Sequence, residues 1–237
     1  MQQETRNVPA QNSNHKHELF NIENVKPLLR GWSHAVASLG AVGLTIGLCW
    51  RSAHDLPRLF SMLIFGLSMI ILYSVSAIYN IGNWGGPAGR VLRSIDHANI
   101  FLLIAGTYTP ICFNMLHGWV RPALLITIWL LAAGGIVLAI FTTKVPRTFR
   151  TGLYIAMGWV GLLALPALGS ALAWEAIGLL FIGGLLYTVG AVIYGRKKPN
   201  PFPRFFGFHE IFHLFVIAGS LAFTLAIWVW AVPFPRI

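Results

Sequence analysis

Two imidazoles four residues apart, in His209-Glu210-Ile211-Phe212-His213, stand at the head of the last long apolar run of the chain. On a helix, residues at i and i+4 share a face about one turn apart, so these two rings could offer their nitrogens to one metal ion. The string also fits the H-E-x-x-H pattern, in which a Glu beside the first His serves a zinc peptidase as general base. Ionisable groups inside apolar segments are costly, and each is a functional candidate by default. By that standard the other candidates are His34 at the start of the first apolar block, Ser76 and Asn80 at the end of the second, and Asp96 and His97 at the start of the third. Each also has a local reading. His34 could donate to a carbonyl of a neighbouring helix. Ser76 could bond its own backbone. Asp96 could pair with Arg93, three residues before it, or cap a helix. His97 projects about 100° away from Asp96 and so serves a different target.

The elements that must position these groups follow from composition. Of 237 residues, 56% are hydrophobic and 10% charged, against roughly 25% charged in an ordinary soluble domain. The apolar residues fall in blocks about 20 long, enough to cross a hydrocarbon layer of about 30 Å as helices. Seven such blocks are expected, near 32–50, 59–80, 98–116, 123–141, 153–173, 176–194 and 208–230. The fold class is therefore all-α: a polytopic integral membrane protein with a seven-transmembrane-helix bundle over 25–237, preceded by a polar, disordered cytosolic tail over 1–24. Only Trp174 and Glu175 separate the fifth and sixth blocks, which predicts a tight hairpin. Trp32, Trp50, Trp119, Trp174, Tyr194, Trp228 and Trp230 fall near block ends, where amphipathic rings favour the headgroup layer.

The net charge of +10 raises the question of nucleic acid. The basic residues lie in short connections between apolar blocks, a pattern explained by membrane orientation and not by DNA or RNA. With seven crossings, thirteen of the 17 Lys and Arg residues fall on the N-terminal side. That asymmetry predicts a cytosolic N-terminus and an external C-terminus in the cell (inner) membrane. His34, Ser76, Asn80, Asp96, His97, His209 and His213 then all lie towards the cytosolic leaflet, as the parts of one site would. Cys49 and Cys112 both sit within apolar blocks and imply no disulfide framework.

The segment Arg93-Ser94-Ile95-Asp96-His97-Ala98-Asn99-Ile100-Phe101, continuing to Thr109-Pro110, resembles the hemolysin III family, the bacterial branch of the progestin and adipoQ receptor family. So do His209-Glu210-Ile211-Phe212-His213, Ser76-Ala77-Ile78-Tyr79 and Arg30-Gly31-Trp32-Ser33-His34. The resemblance covers about residues 26–230. It implies a seven-helix membrane protein with a zinc ion (Zn2+) in the inner leaflet. The implied ligands are a His closing the second span and the two His of the seventh, with the third-span Asp acting through water. Carried over residue by residue, His209, His213, Asp96 and Ser76 match. The second-span ligand position is Asn80, whose neutral amide oxygen is a much poorer zinc donor than imidazole. A further seventh-span His of many members is Phe223 here.

Three functions are consistent with these residues. The first is a zinc-dependent hydrolase of a lipid amide or ester, of ceramidase type, with Asp96 taking a proton from water and Ser76 steadying an oxyanion, its substrate a membrane lipid arriving sideways. The second is a receptor, channel or pore-forming (haemolytic) protein in which the metal is structural or lost. The third is an intramembrane metalloprotease with Glu210 as base.

Overall fold

The computed structural model describes residues 27, 29–142, 145–202 and 204–235. The expected tail over 1–24 lies outside them, as do its basic residues, Lys26, Lys144 and Arg236. Among the described residues, seven helical spans are long and apolar enough to cross a membrane. They are built from α1 (Trp32–Arg51), α2 (Leu56–Ile81), α3 (Gly86–Met115), α4 (Val120–Phe141), α5 (Arg147–Trp159) with α6 (Leu165–Ala171), α7 (Trp174–Arg196) and α8 (Phe208–Ala226). Sequential neighbours α1–α2, α2–α3, α3–α4 and α7–α8 pack together, and α1 also meets α8. Large apolar side chains such as Leu39, Leu130, Phe141 and Leu163 face outward. A helical bundle satisfies its backbone internally and can present such a surface to lipid.

Local sequence explains where the helices begin. Asp55 caps α2 by accepting from the Arg58 amide at 3.2 Å, and Pro57 occupies the first turn, where a missing N–H costs nothing. At the start of α8 the Gly207 N–H donates to Glu210 Oε2 at 2.7 Å, so the carboxylate reaches back to satisfy an otherwise unbonded donor. Third-span helix begins at Gly86, twelve residues before the expected start at 98. Its first turns carry Arg90, Arg93 and Asp96 among Val91, Leu92 and Ile95, too polar a stretch to count as a span, yet the helix continues through them. Asp96 therefore lies in the third turn of α3 and opens no helix.

The fifth span is not one helix. A 3-10 turn, Val160–Ala164, separates α5 from α6. Pro166 removes an N–H at the start of α6. Tyr108 of α3 fills the gap: its hydroxyl donates to Gly158 O at 2.6 Å and accepts from Gly161 N at 2.7 Å. The turn to the sixth span is Leu172-Ala173, with Trp174 and Glu175 already inside α7. The seventh span ends in a π turn, Ile227–Ala231. Arg51 donates to Trp228 O at 3.0 Å and stacks on that ring, while Arg58 donates to Val232 O and Phe234 O. Trp32, Trp50, Trp119 and Trp174 are exposed at helix ends, as expected for headgroup-layer rings. Tyr194 differs. It is buried and belongs to the site.

Candidate functional site

The polar residues of α1, α2, α3 and α8 meet at one end of the bundle. His209 and His213 of α8 lie with ring centroids 4.5 Å apart, and His34 of α1 stacks on His213 at 3.7 Å with the planes 11° apart. His34 is 2% exposed and His213 1%. Neither ring nitrogen of His34, nor Nδ1 of His213, has a hydrogen-bond partner of ordinary geometry. His34 thus joins the His209–His213 pair at this end of the bundle, and the backbone of His213 in α8 faces its ring, in keeping with a donor to a neighbouring helix.

Arg30, just before α1, supplies the cation of this cluster. Its Nε donates to Asn80 Oδ1 at 2.9 Å and its Nη2 to His209 Nδ1 at 3.3 Å. Gly31 makes the approach possible. It has φ +88°, and a Cβ there would lie 2.9 Å from both Asn80 Cβ and Ile81 Cγ1. The Leu29 N–H donates to Phe205 O at 3.4 Å, tying the same segment to the loop before α8. Asn80 passes the interaction on: its Nδ2 donates to Ser76 O at 2.8 Å and Ser76 Oγ at 3.2 Å. The Ser76 hydroxyl faces the Asp96 carboxylate as its side-chain donor, and Asp96 also feels the charge of Arg30. A chain of polar groups thus runs from a guanidinium to a carboxylate across the ends of α1, α2 and α3. Asp96 serves this chain and not a pair with Arg93.

His97 points away from Asp96, as its position on the helix requires. Its Nδ1 meets Arg93 O at 2.6 Å and its Nε2 meets the Tyr194 hydroxyl at 3.0 Å. Glu210 is buried, with Oε2 committed to the Gly207 amide, and it is absent from the wall of the cavity described next. Ser220, two turns below His213, joins three elements: Tyr73 of α2 donates to its hydroxyl at 2.7 Å, and the Tyr187 hydroxyl of α7 lies 2.7 Å from it. That node fixes the rotation of α8 and hence the direction of the His pair.

A cavity of about 190 Å³ leads away from the cluster. Its polar end is walled by His34, Ser76, Asp96, His97, His209 and His213. The rest is apolar, with Leu72, Ile104, Val216 and Phe223 along it and Leu116 and Ile177 far from the histidines. Leu162, Leu165 and Phe181 line it as well and are also exposed on the outside of the bundle, beside the broken fifth span. The cavity therefore reaches the lipid-facing surface between the fifth and sixth spans.

Residues 22–224 match the family model described as Haemolysin-III related. The chain belongs to the haemolysin-III related family. It is 39% identical over 176 residues to a hemolysin-3 homolog of Bacillus subtilis (strain 168), covering 74% of this chain and 79% of that one. Against hemolysin-3 of Bacillus cereus it is 36% identical over 170 residues, covering 72% and 74%. More distant similarity, 24% over 211 residues, links it to the adiponectin receptor protein of Drosophila melanogaster, with 80% of this chain and 47% of that one covered. This haemolysin-III related chain is accordingly a multi-pass membrane protein, in keeping with its seven spans.

The family resemblance implies zinc, and the donors present do not fit it. Among the described residues no three His, Cys, Asp or Glu side chains form a group able to hold a metal. The stacked rings of His34 and His213 direct their lone pairs along nearly parallel planes, which cannot converge on one ion about 2 Å from each nitrogen. Asn80 Oδ1 is taken by Arg30. Because a guanidinium only donates, His209 Nδ1 must accept, and the ring proton then sits on Nε2. Both nitrogens of His209 are thereby withdrawn from metal ligation. Arg30 lies inside a segment that carries the resemblance, without a role that its own position displays. Its distance of one residue from Gly31, which can adopt the left-handed conformation, was the available signal.

Proposed function

We propose that this haemolysin-III related protein binds an amphipathic membrane lipid, with the chain in the apolar cavity and the polar group against the His34 and His213 rings. The observation that carries this reading is an apolar cavity that reaches the bundle surface and has His34, Ser76, Asp96, His209 and His213 in its wall at one end. Binding sites of this kind are mostly apolar, with a few convergent polar groups fixing orientation. Here the polar side chains stand at one end of an otherwise apolar wall, which suits a ligand with one polar group and a long apolar chain. With the N-terminus cytosolic, as the basic residues argue, the polar end lies in the inner half of the cell (inner) membrane. The function is then of receptor or carrier type, without a metal in the binding step.

A second reading, hydrolysis of a lipid amide or ester, is favoured by Asp96 and Ser76 sharing the cavity wall. Asp96 would accept a proton from a water attacking a bound carbonyl and pass it to the leaving amine or alcohol, and Ser76, released from Asp96 once that carboxylate is protonated, would donate to the oxygen that gains charge.

The test is titration of the detergent-purified protein with a fluorescent ceramide and a fluorescent fatty acid, with turnover followed in parallel. Saturable binding that is weakened in Val216→Phe, without turnover, supports the binding reading. Turnover abolished in Asp96→Asn supports the hydrolase instead. Binding of neither probe class above the level of empty micelles removes both.

A further inference from the structure

We propose that Arg30 is a built-in cation standing where the resemblance implies zinc, and that it holds this end of the bundle together without a metal. This role is separate from lipid binding and does not depend on what fills the cavity. A metal at this place would bind the second span to the seventh through residue 80 and His209. Arg30 makes that same connection, 2.9 Å to Asn80 Oδ1 and 3.3 Å to His209 Nδ1, and adds the first span by its own attachment to α1.

The chemistry of residue 80 suits this partner. An amide oxygen is a weak ligand for zinc and a good acceptor for a guanidinium. Asn80 can also turn its NH2 towards Ser76, so one side chain accepts from the cation and donates along the chain that ends at Asp96. An imidazole has only two ring nitrogens and could not make all three bonds. The backbone is adapted as well. Gly31 packs against Asn80 and Ile81 in the left-handed region, closer than any side chain would permit, which delivers Arg30 to its two acceptors. A dication placed among the same donors would face the permanent charge of Arg30 a few ångströms away, an unfavourable interaction in a partly buried setting. The asymmetry between the two cations matters for the protein. A metal can be removed or withheld, and an arginine cannot.

The experiment measures the metal content of protein purified from zinc-supplemented cells without chelator, together with its melting temperature before and after EDTA. The expected result is wild-type protein without stoichiometric zinc and with one melting temperature in both conditions. The double variant Arg30→Ala/Asn80→His is expected to take up zinc and to melt lower after chelation. Wild-type protein carrying one zinc per chain, lost in His209→Ala, overturns the proposal. So does a double variant that folds and takes up no zinc. The wild-type measurement decides the matter even where the double variant does not fold.

Discussion

Arg30 Nε donates to Asn80 Oδ1 at 2.9 Å across 50 residues of sequence. The bond joins the entry of α1 to the end of α2, and through the second arm of the guanidinium to the start of α8. If the two residues act as a unit, Arg30→Ala and Asn80→Ala each leave a buried polar group unpaired, at a cost of about 1–3 kcal/mol. The double variant is then expected to lose less than the sum, with a coupling of about 0.5–3 kcal/mol. Unfolding in detergent micelles reads all three variants, and simple additivity would show that the two side chains work separately.

Gly31 has the sharper steric prediction. A Cβ there meets Asn80, Ile81 and the Ile81 backbone N within 3.2 Å, at a φ that side chains rarely adopt. Gly31→Ala is expected to destabilise the protein by at least about 1 kcal/mol. It should also release His209 Nδ1 from Arg30, visible as a changed imidazole nitrogen shift in a labelled sample.

Glu210 is assigned to the helix start. Glu210→Ala is expected to cost about 1 kcal/mol through loss of the cap, whereas Glu210→Gln keeps an oxygen for the Gly207 amide and costs less. Neither should change lipid binding. A peptidase activity that disappears in Glu210→Gln at unchanged stability would return this residue to the role of general base.

Tyr108 holds open the interrupted fifth span. Tyr108→Phe removes the donor to Gly158 O and the acceptor for Gly161 N, leaving backbone groups unpaired at about 1–3 kcal/mol. Because the same turn lines the cavity at Gly158, Gly161 and Leu162, lipid binding should weaken together with stability. Unchanged binding in a destabilised variant would show that the turn does not shape the entrance.

The seven spans could be read from apolar block length because each helix must match the thickness of the hydrocarbon layer. Their ends could not, where polar residues continue a helix: α3 begins twelve residues before its apolar block, because Arg90, Arg93 and Asp96 break up the apolar run although Val91, Leu92 and Ile95 keep helical spacing. The break after Trp159 was equally hidden, since the residue that satisfies it, Tyr108, lies about 50 positions away. The His209–His213 pair was legible from spacing, and the convergence of Ser76, Asn80 and Asp96 from their common depth. The stacking of His34 on His213 was not legible, because depth alone does not show which way a ring points. The role of Arg30 depended on a left-handed glycine and two distant acceptors, neither of which a local pattern displays.

The cavity is proposed as a lipid site whose polar end needs no metal. Native mass spectrometry of the gently purified wild-type chain tests it most directly, because bound lipid and bound zinc add distinct masses. The predicted spectrum shows the chain with one retained lipid and no zinc increment, and Val216→Phe sheds the lipid. A spectrum with a zinc increment and an empty cavity would contradict the account.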